Sequence, residues 1–373
     1  MMVEWLSAAD ALALLGTRPQ TLYANVSRGR IKAKPDPTDT RKSLYRGEDV
    51  RRLAGRGAGR RRGETVATEA IHWGEPVMQT AISTIADGTL LYRGENAVGL
   101  ATWATLEDVA ALLWQAEAVK LPKAKVTGDG LAGAFAGLAQ RAAIDPPTIG
   151  RTPQILRREA AAVLADIAAA LIGAAGTDPL HQRLAKRWGR PQAADALRRA
   201  LVLLADHELN ASTFAARVTA STGASLSAAS LSGLATLTGP LHGSAAGAVL
   251  ILADEAMRSS AEAAVAARLG QGLALPSFGH QLYPEGDSRA RHLLDHLVLP
   301  PVLRDLAGAG EDITGDRPNV DFALAALTLV HDLPREAPLI TFALARSVGW
   351  LAHALEQVSV GELIRPRARY LGA

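Results

Sequence analysis

A chain this rich in helix-forming residues has few places where anything but a helix can pack, and polar side chains mark those places. Alanine and leucine dominate the sequence; both have high helix propensity and allow close helix packing. Against that background three histidines and one aspartate stand out. His207 lies in LLADHELNAST, His242 in GPLHG, His280 in FGHQLYPEGDSRA and Asp321 in RPNVDFAL. Each is flanked by Gly, Pro or Asn, or sits among other polar residues. A buried imidazole or carboxylate without hydrogen bonds costs stability. Four such groups in separate segments therefore point to one polar pocket in an almost all-helical protein. A lone helical histidine is more simply a satisfied core residue, but the glycines beside His242 and His280 argue against that reading.

The length of 373 residues allows a large core and more than one domain. With 48% hydrophobic and 21% charged residues the chain reads as globular. It contains no cysteine, which excludes disulfides, thiolate nucleophiles and cysteine-ligated metal centres and fits a reducing cytoplasm. The segment MMVEWLSAADALALLG has early acidic residues and no basic n-region, so it does not read as a signal peptide. The longest apolar helices are short or interrupted by Asp, which favours core helices over membrane spans. The expected location is cytoplasmic.

Charge is uneven. Residues 1–62 hold fourteen Lys/Arg and six Asp/Glu, net +8, whereas the whole chain is +3, so the remainder carries −5. Only the N-terminal part suits a polyanion. There, WLSAADALALLGTRPQTLYANVSRGRIKA reads as two short helices separated at Gly16. Ser7 can cap the first, and Ala8, Leu12 and Leu15 form its apolar stripe. A turn, a strand around Ser43 to Tyr45 and a third helix from about Gly47 follow. Residues 4–54 resemble the small winged helix-turn-helix modules of the MerR and excisionase-like type. That resemblance makes Gln20, Thr21, Tyr23 and Asn25 candidate base readers and Arg28, Arg30, Lys32 and Arg41 candidate phosphate contacts. A structural or dimerisation arm is the competing reading, because the second helix carries few basic residues. GRGAGRRRGE at 55–64 reads as a flexible linker.

Beyond it, ADG predicts a tight turn between short extended pieces. Thr105 with Asp108 predicts a capped helix start, and long helices are expected over 153–175 and 188–205. The stretch LVLLADHELNASTFAARVTAS reads as one helix whose Asp206, His207, Glu208, Asn210, Ser212, Thr213 and Arg217 form a polar belt, either a wet site or a satisfied core network. Helical segments near 227–237 and 245–263 bracket GPLHGSAAG and place His242 at a helix start, where free N–H groups favour negative charge. Arg289, Arg346 and Arg365 suit carboxylates. No dinucleotide or Walker phosphate loop is present. No compact metal-ligand cluster appears, and His292 and His296 read as helix-surface residues.

Together LLADHELNAST, GPLHG, FGH-x-x-Y-x-x-x-D-x-R, NVDF, ARSVGWLAHALEQ and IRPRARY, in this order, resemble citrate synthase from about Met78 to Ala373. The resemblance implies an all-α fold of large and small helical domains: a catalytic region at 65–373, with a small domain at about 207–320 inserted in the large one. It implies a homodimer or higher oligomer with shared active sites, and condensation of acetyl-CoA with oxaloacetate followed by hydrolysis to citrate and CoA, without metal or other cofactor. By motif, Asp321 corresponds to the general base, His242 to the thioester-carbonyl partner and His280 to the ketone donor. His207, Arg289, Arg346 and Arg365 correspond to oxaloacetate ligands, Arg365 from across the dimer. The sequence departs from the family pattern at Arg93–Gly94–Glu95 for RGY, at Ser244–Gly247 for GGAN and the acidic residue after it, at Asp287–Ser288–Arg289 for DPR, and at FGHQLYPEGD for a more basic version. These departures leave open a 2-methylcitrate synthase using propionyl-CoA, one methylene away, and the basic N-terminal module, which ordinary citrate synthases lack, leaves open a ligand-sensing DNA-binding regulator on a synthase fold.

Overall fold

The computed structural model describes residues 5–15, 22, 25–26, 31–36, 39, 42–51, 78–124, 128–173 and 176–368. Its contacts divide the chain into two units, one of residues 1–78 with 365–373 and one of residues 79–364. The expected linker at 55–64 lies outside the described residues.

In the first unit, β1 (Trp5–Leu6), β2 (Ala33–Pro35) and β3 (Ser43–Arg46) form an antiparallel sheet in the order β1-β3-β2. Helix α1 (Ala8–Leu15) precedes β2, and Ser7 caps it: its Oγ accepts from Asp10 N at 3.2 Å. The apolar stripe of α1 is used, since Ala11 is buried with Leu22, Ile31, Tyr45 and Val50 while Ala8, Leu12 and Leu15 pack against them. A helical segment begins at 47, as expected. Of the candidate DNA contacts, Gln20, Thr21, Tyr23, Arg28, Arg30 and Arg41 lie outside the described residues. Lys32 is exposed and its backbone N–H binds Asp49 Oδ2 at 3.1 Å. Asn25 accepts Ile31 N–H through its carbonyl at 3.3 Å.

The second unit opens with a hairpin, β4 (Ser83–Ala86) and β5 (Thr89–Tyr92), extended by β6 (Glu95–Asn96). The ADG turn forms as read: Asp87 and Gly88 both have positive φ, 49° and 69°, which suits the twist of a two-residue hairpin. Helices follow. These are α2 (Ala97–Leu100), α3 (Leu106–Trp114), α4 (Gly130–Ile144), α5 (Pro153–Ile172), α6 (Leu180–Arg187), α7 (Ala194–Leu204), α8 (Ala211–Ser221) and α9 (Leu226–Leu237). Then come α10 (Ala245–Arg258), α11 (Ala261–Gly270), α12 (Ser288–Asp295), α13 (Pro301–Thr314), α14 (Val320–Val330) and α15 (Ala337–Val360). Thr105 and Asp108 form the reciprocal capping box at α3, at 2.9 and 3.2 Å, and Pro153 sits at the first position of α5, where no N–H is needed.

Helix ends differ from the sequence reading in four places. Helix α5 stops at Ile172 because Gly173 takes φ 87°. The expected helix over 188–205 begins with a 3₁₀ turn, Pro191–Ala193, and becomes α-helical only at Ala194. The expected helix over 245–263 breaks at Ser259–Ser260, and Ser260 Oγ caps α11 through Ala263 N–H at 3.1 Å.

The largest difference is at 205–210, where one long helix was expected and two short ones occur. Side chains from elsewhere satisfy the carbonyls that would have continued it. The Tyr92 hydroxyl lies 3.0, 3.2 and 3.2 Å from the carbonyl oxygens of Val202, Leu203 and Asp206, and Arg346 Nε donates to Leu204 O at 2.9 Å. Asn210 then caps α8, its Oδ1 accepting from Thr213 N–H at 3.2 Å.

Helix α15 runs through the main core. Its length and mean hydropathy of 1.2 would suffice to cross a bilayer, yet 89% of that window is buried inside the fold, as in a core helix. Gly233 on α9 lets Trp350 of α15 come close; a Cβ there would sit 2.6 Å from Trp350 Cδ2. A second apolar cluster, with Val249, Leu252, Val265, Leu303, Leu306 and Phe322 at its centre, is built by α10, α11, α13 and α14.

Candidate active site

The break between α7 and α8 carries His207, which is buried. Glu208 beside it has φ 50°, a left-handed conformation costly for a residue with a side chain. The β4–β5 hairpin holds it there: Glu208 Oε1 accepts from Ile85 N at 2.7 Å and Thr84 Oγ1 at 3.1 Å, and Glu208 N donates to Ser83 Oγ at 2.9 Å. His207 Nε2 lies 2.9 Å from Tyr283 Oη, and its ring stands edge-on to His280 at 5.2 Å. Burial, then the charges of Arg289 and Arg346, drive its pKa well below the ordinary value, so the ring is neutral.

His280 follows Gly279 in the loop before α12. Its Nδ1 accepts from Leu282 N–H at 3.2 Å, which leaves the proton of the neutral ring on Nε2. Burial and the nearby Arg289 lower its pKa. The loop ends at Asp287, which grips Arg289 with both oxygens, at 2.9 Å to Nε and 2.8 Å to Nη2. Asp287 also accepts from Val320 N–H at 3.0 Å, joining α12 to the start of α14. Burial pulls the Arg289 pKa down, but Asp287 outweighs it and holds the guanidinium above its ordinary value. Asp287 thus fixes the Arg289 guanidinium from within the protein through Nε and Nη2.

Asp321 occupies the first turn of α14. Asn319 caps that helix, accepting from Asp321 N–H at 3.0 Å and donating to Gly279 O at 3.0 Å, so the base candidate and the His280 loop are tied together. The carboxylate is half-buried, and its Oδ1 is sealed from solvent with no hydrogen-bond partner among the described residues. Burial raises its pKa to about 6, although Arg289 and Arg346 pull in the other direction. An unpaired carboxylate poised near neutral pH is the property a general base needs.

His242 sits in the turn between α9 and α10, three residues before α10 rather than at its first position. Its Nε2 is 2.8 Å from Ser212 Oγ. Ser212 also accepts from Trp350 Nε1 at 3.1 Å and lies 2.8 Å from Asn210 Oδ1. Its single proton thus has two acceptors, and when it turns to His242 Nε2 the imidazole proton resides on Nδ1. Burial, then Arg346, lowers the His242 pKa to about 4. Asn210 Nδ2 donates to His207 O at 3.2 Å, closing the path from His242 to His207. Arg346 is buried over the Phe342 ring, 4.8 Å from its centroid, and burial lowers its pKa to about 10.

One network therefore brings together His207, His242, His280, Asp321, Arg289 and Arg346. Arg365 is exposed and belongs to the other unit. Among the described residues no group of three or more His, Asp or Glu could hold a metal ion. His292 corrects the sequence reading: it is buried, its Nε2 faces Arg199 Nη1 at 3.1 Å, and only His296 is exposed. Sequence reasoning passed over Tyr283 and the anchoring role of Asp287, although both stand in the FGHQLYPEGDSRA segment it singled out.

The scaffold and pocket define a helical protein that gathers neutral imidazoles, buried guanidiniums and one unpaired carboxylate. The profile of the citrate synthase C-terminal domain matches residues 151–367, and the chain belongs to the citrate synthase family. It is 39% identical to citrate synthase 2 of Bacillus subtilis over 198 residues, 49% of this chain and 52% of that one. It is 38% identical to citrate synthase of Haloferax volcanii over 191 residues, 48% and 50% of the two chains. The chain thus spans about half the length of the curated relatives it matches. Its fold is similar to that of Thermoplasma acidophilum citrate synthase, solved in ternary complex with carboxymethyl coenzyme A and oxaloacetate (TM-score 0.67, 25% identity, covering 80% of this chain and 95% of that one). Citrate synthase of Thermotoga maritima gives a TM-score of 0.65 at 27% identity, covering 80% and 94%.

Proposed function

We propose that this protein condenses acetyl-CoA with oxaloacetate and hydrolyses the resulting citryl-CoA to citrate and CoA. The observation that carries this reading is Asp321 Oδ1, sealed and unpaired in the same network as three neutral imidazoles. In the proposed reaction Asp321 removes a methyl proton from acetyl-CoA. His242, protonated on Nδ1 with Ser212 turned to its Nε2, donates to the thioester oxygen as negative charge develops. His280 donates its Nε2 proton toward the oxaloacetate ketone, the enol carbon attacks, and the C–C bond forms. Water then cleaves the thioester. His207, Arg289 and Arg346 hold the oxaloacetate carboxylates, and Arg365 of the partner subunit completes the site. No metal or redox group is required. A thiol-release assay with acetyl-CoA and oxaloacetate tests this: turnover dependent on both substrates is expected. No turnover, or preference for propionyl-CoA, would move the chain to another reaction or to 2-methylcitrate synthesis.

The charge balance supports the dimer. Within the helical unit Asp287 neutralises Arg289, and Asp206 is the leading counter-charge of Arg346. A dianion then calls for a further cation, the role assigned to Arg365. Arg365→Ala and Asp321→Asn variants, each nearly inactive alone, should regain activity when mixed under subunit exchange, because one site of the heterodimer escapes both lesions. Verified exchange without recovery would place Arg365 in its own subunit's site.

We also propose that residues 1–54 form a winged helix-turn-helix module joined by the 55–64 linker, and that about 207–320 form the inserted small domain. The β1-β3-β2 sheet with α1 supports the first, and the apolar cluster of α10, α11, α13 and α14 supports the second. A chain beginning at Glu64 should keep its kcat. If the module reads DNA, duplex binding by the full chain should fall steeply with salt and vanish on truncation. Salt-independent or absent binding would make the module a structural arm.

A further inference from the structure

The buried face of α15 carries more polar groups than the proposed chemistry uses. Along it, Arg346 binds Leu204 O and Trp350 binds Ser212. One turn further, His353 Nε2 donates to Asp206 Oδ2 at 3.1 Å, and both residues are fully buried. The same Asp206 oxygen accepts from Ser83 Oγ of the hairpin. Gly349 packs directly on this group; a Cβ there would collide with Ala205 O and Asp206 Oδ1. Asp206 immediately precedes His207. The turn that presents His207 is therefore pinned from α15 by His353 and from the hairpin by Ser83, with Asp206 as the shared acceptor.

We propose that Asp206 and His353 form a buried lock that positions His207 and thereby sets affinity for the dicarboxylate. This inference rests on the functional reading above. The proton inventory is consistent with it. Ser83 Oγ accepts from Glu208 N–H at 2.9 Å and is free to donate to Asp206. His353 Nδ1 faces Arg217 Nη1 at 3.5 Å, so its proton lies on Nε2. Arg217 is in turn neutralised by Glu356 at 2.8 Å, which leaves Asp206 as the negative group for the His353–Ser83 clamp. Burial pushes the Asp206 carboxyl up, and His353 with Arg346 and Ser83 brings it below the usual range, so the lock holds a carboxylate. An amide at this position can donate but accepts through one oxygen only, and cannot restore the charge.

The test measures oxaloacetate binding by calorimetry on the full-length protein, alongside kcat and both KM values. Asp206→Asn should weaken oxaloacetate binding and raise its KM by about tenfold or more, the scale of a charge-assisted hydrogen bond, with kcat at saturation and KM for acetyl-CoA nearly unchanged. His353→Leu should do the same, His353→Gln should recover most of the loss, and the Asp206→Asn/His353→Leu double variant should be no worse than either single one. If Asp206→Asn does not fold, Ser83→Ala and the His353 pair carry the same comparison. Unchanged oxaloacetate affinity in folded variants that wild type matches would overturn the lock while leaving the proposed reaction standing. A fall in kcat together with a rise in both KM values, with no rescue by Gln, would reduce the pair to a structural role. Wild-type protein that fails to bind oxaloacetate would remove both.

Discussion

Asp321→Asn should leave a folded protein that still binds oxaloacetate but turns over at least about a hundredfold more slowly, since the amide accepts no proton. A variant retaining more than about a tenth of the wild-type kcat would contradict its role as base. The pH dependence has a defined direction. As the proposed base Asp321 must be ionised to act, and its pKa is raised to about 6, so kcat/KM should fall about tenfold per pH unit below that value. Stability responds with the opposite sign. A carboxyl raised in the folded state binds its proton more tightly there than in the unfolded chain. Stability is therefore lost as pH climbs from the unfolded value toward about 6. At neutral pH the cost is on the order of 2 kcal/mol after allowance for partial solvent access. Asp321→Asn should accordingly melt higher than wild type at pH 8, with the difference gone near pH 4. Equal melting temperatures at both pH values would argue that the carboxylate is better solvated than its sealed Oδ1 implies.

The second large effect is expected at Asp287. Its carboxylate and the Arg289 guanidinium are both buried and 2.8 Å apart. Asp287→Ala removes the acceptor for Arg289 and for Val320 N–H together and strands a buried cation. The expected loss is about 3–5 kcal/mol in denaturant unfolding. Burial acts to raise the Asp287 pKa, but Arg289 overrides it and depresses it. Its contribution is then present above the unfolded value and is lost as pH falls through the folded one. The variant should therefore lose less stability than wild type on acidification. Since Val320 precedes Asp321, activity should fall as well. A loss below about 1 kcal/mol would mean that water replaces the carboxylate.

Much of this was legible in the amino-acid order, and the reason differs from residue to residue. Thr105 with Asp108 specifies its own helix start, because a capping box is complete within four residues. The ADG turn is equally local. His242, His280 and Asp321 stand out because glycine, proline or asparagine flanks them and His207 because it sits among polar residues in an apolar run, and the network does gather them. The division of one expected helix at 205–210 was not legible. The atoms that stop it belong to Tyr92 and Arg346, more than a hundred residues away on either side. Asp287 was visible as a motif letter, but its grip on both Arg289 and Val320 depends on where α14 begins. His292 was misread because eight residues of α12 give too little periodicity to assign its buried side.

Tyr92 has a wider consequence. The segment from Leu201 to Ser221 is composed to be helical, and the Tyr92 hydroxyl, the Arg346 guanidinium and the hairpin contacts of Asp206 and Glu208 together keep it from being so. While the hairpin and α15 are undocked, nothing prevents the helix from running on through Asp206 and His207. Each residue added to a helix turns the side chain by about 100°. Such a chain would point its imidazole elsewhere and leave Asn210 without a helix to cap. The pocket is thus built from parts that meet only in the tertiary structure. A copy in which these parts have not met would lack the turn that presents His207, so the fold and the candidate site depend on the same contacts.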